Sequence, residues 1–153
     1  MRVSFFVRNE RKHISGWTAV RGKRTVVPGP WHCYGGAGGV PHDLVQYVIE
    51  AATKYEHGFW GLVARGATFK STGRKRTVPG RALIAAHRDE LSGAERLAGA
   101  HVSAWKAGAD THVTRCLEHA SQQWHGLGAG EIMEFEWPSP TGHVERWIGE
   151  AVG

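Results

Sequence analysis

The apolar periodicity of this chain changes twice, and that restricts the layers it can build. Val3, Phe5 and Val7 alternate with Arg2, Ser4 and Arg8, the period of two that sends successive side chains to opposite faces of a strand. Through the middle of the chain the apolar residues recur at steps of three and four, the helical period. Met133, Phe135 and Trp137 then alternate with Glu134 and Glu136, so the chain returns to a strand. Helical segments flanked by strands that are apolar on one side imply an α+β fold. The expected form is an antiparallel sheet of three N-terminal strands plus a C-terminal strand, packed by about three to four helices on one face. At 153 residues the chain is expected to form a single domain spanning 1–153.

Turn and cap residues divide the pattern further. The second strand is expected over His13–Val20, and a third over Thr25–Val27 is stopped by Pro28-Gly29-Pro30. A glycine-rich connector, Tyr34–Gly39, leads to Pro41, which suits the first turn of a helix running to about Tyr55. Leu44, Val45, Val48, Ile49 and Ala52 form its apolar stripe. Asp43, Gln46, Glu50 and Lys54 are expected on the opposite, solvated side, with Glu50 and Lys54 spaced for a surface ion pair. Gly58-Phe59-Trp60-Gly61 is a bulky aromatic pair bounded by glycines, and a short helix is expected over Gly80–Glu90. Ser92 and Glu95 match a capping box for the next helix, which Gly108 ends. Asp110 or Thr111 caps a last helix whose seam is Val113, Leu117, Ala120, Trp124 and Leu127.

Composition excludes several classes. No window approaches the roughly 18 apolar residues of a membrane span, so no membrane partner is expected. Met1-Arg2 runs directly into strand alternation instead of a secretory core. Two cysteines make no disulfide framework. The expectation is a soluble cytoplasmic protein. Its net charge of +5 is unevenly spread: residues 1–81 hold fourteen Lys/Arg against four Asp/Glu, and residues 82–153 hold five against ten. Either the halves neutralise each other or the basic half faces an anionic partner.

Chemistry concentrates around the glycine connector. A Gly-rich loop entering a helix exposes backbone N–H groups that suit an anion, although Asp43 opposes one and no Gly-Lys-Ser/Thr follows. His42 and Asp43 form a candidate catalytic acid/base pair, since imidazole titrates near neutrality and a carboxylate biases it. The rival reading is local, with Asp43 complementing the helix dipole. Trp31, His32, Tyr34, Gln46 and Trp60 are the candidate ligand-binding residues around that pair.

The segment Val40–Glu50 followed by Gly58–Ala67 resembles a family of small uncharacterised bacterial proteins that share a Pro-His-Asp-Leu helix and a Gly-Phe-Trp-Gly turn. The resemblance is strongest over residues 39–69, and the later helix-helix-strand order is also similar. It implies an outline but no reaction. Many members carry a second histidine where this chain has Gln46, which leaves a His-Asp-x-x-His metal set incomplete here.

No motif demands a cofactor. Zinc or another transition metal would suit His112, Cys116 and His119, which share one side of a helix, but a closed site needs a fourth ligand. The same stripe also reads as the half-buried flank of the apolar seam. Lys70, Arg74, Lys75 and Arg76 would suit phosphate or an acidic protein, although such runs are commonly solvated loops. The leading expectation is therefore a small-ligand-binding protein, or a small acid/base enzyme, with its pocket beside the glycine loop and Pro41-His42-Asp43. The alternative is a non-enzymatic protein that binds nucleic acid or an acidic protein through its basic half.

Overall fold

A computed structural model describes residues 1–9, 14–27, 37–72, 76–128 and 130–138. The two alternating segments become neighbours in one antiparallel sheet. β1 (Arg2–Asn9), β2 (Ile14–Arg21), β3 (Arg24–Val27) and β4 (Ile132–Glu136) lie in the order β3-β2-β1-β4. Phe5 pairs with Trp17 on one side and Met133 on the other, and Val3 pairs with Ala19 and Phe135. These six side chains share one face, and all are buried. The alternate residues form the other face, where Glu134 accepts from Ser4 Oγ at 3.2 Å and lies 3.8 Å from Arg2 Nε. The glutamates of β4 thus offset part of the basic N-terminal strand.

Among the described residues five α-helices accompany the sheet, one more than the spacing of apolar residues suggests. They are α1 (His42–Thr53), α2 (Phe59–Arg65), α3 (Val78–Ala86), α4 (Arg88–Lys106) and α5 (His112–His125). The additional element is α2, which begins with the aromatic pair bounded by glycines. Among the described residues, no helix is long and apolar enough to cross a membrane.

α1 is the centre of the molecule. Residues 44 to 50 are all buried, because the sheet, α2, α4 and α5 surround it. The expected solvated side at Gln46 and Glu50 does not exist, and the surface ion pair of Glu50 with Lys54 does not form, since Glu50 is only 1% exposed. Tyr47 seats α1 on the sheet: its ring meets Phe5, Phe135 and Trp137, and its hydroxyl donates to the Glu136 carbonyl at 2.9 Å. The seam of α5 is buried as its spacing demands, and Thr111 caps it reciprocally with Thr114. α4 starts at Arg88, upstream of the Ser92/Glu95 signature, with Asp89 and Glu90 in the first turn where the helix dipole favours acids.

Candidate functional site

Glu50 organises the corner between α1 and α2. Its carboxylate reaches across to the start of α2 and accepts the backbone N–H of Phe59 at 2.8 Å and of Trp60 at 2.9 Å. Gln46, one turn earlier, donates to the same carboxylate at 2.8 Å. A helix leaves its first N–H groups without internal partners. Here a side chain from the preceding helix satisfies them, because Gly58 at the N-cap position has none to offer. Burial pushes the Glu50 carboxyl up to about 7, while the hydrogen bonds from Gln46, Trp60, Phe59 and Gly61 pull it the other way. The approach depends on two missing side chains. A Cβ at Gly58 would lie 2.4 Å from the Glu50 carboxylate, and one at Gly61 would lie 1.9 Å from the Glu56 carbonyl oxygen.

Outside this corner lies a cavity of about 590 Å³, a volume typical of small-molecule sites. Glu50 borders it, Ala51, Ala64, Trp137 and Pro138 contribute apolar wall, and Arg21, Lys54 and Arg65 supply three cations. Arg21 Nη1 is held by the Ala64 carbonyl at 3.3 Å, near the end of α2. Arg65 lies 3.7 Å from Glu56, both largely exposed.

The sequence-derived residues are distributed otherwise. His42 and Asp43 are adjacent, with Nδ1 of His42 3.5 Å from Oδ1 of Asp43. The Asp43 carboxylate raises the pKa of His42, burial opposes the rise, and the Asp43 and Glu95 charges add to it. The neighbouring carboxylate thus favours the protonated imidazole. Asp43 also has a structural task. Its carboxylate accepts the Trp17 indole N–H at 2.8 Å, and its backbone carbonyl accepts that of Trp60 at 3.1 Å. Asp43→Ala leaves the indole of a buried Trp17 without that acceptor, so a loss of about 1–3 kcal/mol is expected in urea unfolding. Unchanged stability would show that Asp43 is not needed for packing.

Trp60 is not a pocket wall. It is fully buried among Phe5, Trp17, Tyr47 and Phe59, with its ring centroid 4.6 Å from that of Trp17. Gln46 is likewise interior and serves Glu50. Trp31, His32 and Tyr34 lie outside the described residues, as do Arg74 and Lys75. The described end of the glycine connector packs against the helices. Gly38 has φ of 65°, its carbonyl lies 2.8 Å from His125 Nε2, and Trp105 leaves little room for a side chain there. Lys70 and Arg76 are exposed, with Arg76 Nε donating to the Thr68 carbonyl at 3.4 Å.

On α5, His112 Nε2 and Cys116 Sγ come within 3.8 Å, but His119 does not complete a ligand set with them. Burial raises the pKa of the Cys116 thiol, with Arg115 opposing, which disfavours the thiolate that a metal prefers. Among the described residues, the three side chains whose ligand atoms do converge are His57, His87 and Glu90. Comparison with models of known families, with curated proteins and with solved structures gives no match for this chain.

Proposed function

We propose that this protein binds a small anionic molecule with an apolar body in the cavity between Arg21, Lys54, Arg65 and Trp137. The observation that carries this reading is the gathering of three cationic side chains on one partly apolar cavity. Glu50 adds only part of an opposing charge, because burial outweighs the four donors and keeps it partly protonated near neutrality. Glu56 already faces Arg65. The remaining charge favours a carboxylate or phosphate group at the mouth, with the apolar part against Ala51, Ala64, Trp137 and Pro138. His42 and Asp43 are not required for binding in this reading.

Trp137 on the wall provides an intrinsic reporter. Naphthoate and naphthyl phosphate should change tryptophan fluorescence saturably and raise Tm, whereas the neutral naphthamide should do neither. The double charge reversal Lys54→Glu with Arg65→Glu should weaken naphthyl phosphate at least about tenfold, as expected when a paired charge becomes repulsive. Equal binding of the amide, or unchanged affinity in the double variant, would refute an anion site at this cavity.

A further inference from the structure

We propose that His57, His87 and Glu90 form a binding site for a divalent transition metal of the zinc class, separate from the anion cavity. The three come from different parts of the fold. His57 sits in the loop between α1 and α2, His87 is the one residue joining α3 to α4, and Glu90 lies in the first turn of α4. Their potential ligand atoms all lie within 4.8 Å of one another.

The arrangement is directional. Nδ1 of His87 is 2.7 Å from Oε1 of Glu90, and Nδ1 of His57 contacts Oε2 of the same carboxylate. The two imidazoles stack with centroids 4.2 Å apart and planes 24° from parallel. Both present Nδ1 to the same carboxylate, one to each oxygen. A tetrahedral zinc ion bound through nitrogen and oxygen at about 2.0–2.2 Å holds its ligand atoms about 3.4 Å apart. That spacing falls between the 2.7 Å of the His87–Glu90 contact and the 4.8 Å that bounds the whole cluster. Two histidines and one carboxylate then leave a fourth position for water or a substrate atom, the pattern of an open site.

The backbone holds the three together. Tyr55, two residues before His57, donates its hydroxyl to the Glu90 carbonyl at 2.8 Å and ties the loop to α4. A Cβ at Gly93 would lie 2.6 Å from that hydroxyl, so the bare helix surface there is what lets Tyr55 reach. The helix breaks at His87, with φ of −116° and ψ of 26°, where its ring stacks on that of His57. The side chains of His57 and His87 are 27% and 20% exposed and that of Glu90 is 46% exposed, which leaves an entry path for an ion. The His112–Cys116 pair, at the start of α5, has only two members and is the natural control.

The test uses the full chain without a histidine tag, stripped of metal and titrated with zinc(II). One equivalent should bind, and Tm should rise, because the ion ties the loop and α4 together in the folded state alone. His57→Ala, His87→Ala and Glu90→Gln should each lower affinity at least about tenfold, the smallest loss seen even for residues that only support ligands. His112→Ala should leave affinity and stoichiometry unchanged. Cobalt(II) should give a tetrahedral visible spectrum without a thiolate charge-transfer band. The wild-type titration decides the matter even if a variant fails to fold: absence of saturable one-equivalent binding overturns the site. So does binding that survives His57→Ala or is abolished by His112→Ala.

Discussion

Glu50→Ala should lower the stability of this protein by about 3–5 kcal/mol, because it strands several buried donors at once, each costing roughly 1–3 kcal/mol when unsatisfied. The backbone N–H groups of Phe59 and Trp60 and the Gln46 amide all lose their acceptor. Such a loss is a large share of the roughly 5–15 kcal/mol that usually separates folded from unfolded chains, and it should lower Tm by about 10 °C. Glu50→Gln keeps the shape and one acceptor oxygen, so it should cost less. The pH response separates charge from shape. The folded carboxyl titrates at about 7, against 4.5 for an ordinary one. The native state therefore binds more protons than the unfolded state between those values. The stabilisation from Glu50 is fully present below about pH 4.5 and is lost as pH rises through about 7. Urea midpoints of the wild type should fall over that interval relative to Glu50→Gln. Parallel curves for the two proteins would show that Glu50 is not the titrating group.

The second large effect is expected at Gly61. Alanine is ordinarily favoured over glycine in a helix by up to about 1 kcal/mol. At Gly61 the added Cβ would sit 1.9 Å from the Glu56 carbonyl oxygen and 2.6 Å from its carbon, so backbone must move. The clash outweighs propensity, and Gly61→Ala should destabilise by about 3 kcal/mol or more, the upper end for overpacking. Gly99, within α4, is the matched contrast, since an added Cβ there meets nothing within 4 Å. Gly99→Ala should be neutral or stabilising by up to about 1 kcal/mol. Chemical denaturation of the pair measures both signs together. If Gly61→Ala proves as benign as Gly99→Ala, the tight entry into α2 is not a constraint on the fold.

The strands and the α5 seam were legible because a single period governs each. Val3 and Phe5, and later Met133 and Phe135, face one layer and announce it locally. α2 was not legible, because its cap is tertiary. Glu50 lies nine residues before Phe59, and no local rule assigns a carboxylate in one helix to the N–H groups of the next. The same contact hid the burial of Gln46 and Glu50, which look like a polar face until Gly58 and Gly61 bring the chain back across them. His57 and Glu90 stand 33 residues apart, and only the path of α2 and α3 brings them together. The one local trace of that cluster was the spacing of His87 and Glu90, three apart at the start of a helix.

The position of β1 has a consequence for how the chain reaches this state. β1 is an inner strand with β2 on one side, and its other neighbour, β4, comes from the far end of the described chain. The contact of Ser4 with Glu134 spans 130 residues. During synthesis the first three strands can pair early, but the second edge of β1 must wait for residues 132 to 136. Closing so long a loop is entropically costly and slows folding. Until then the second edge of β1 stands unpaired, the kind of surface that other chains engage. The last described strand thus closes an edge that the rest of the fold leaves open.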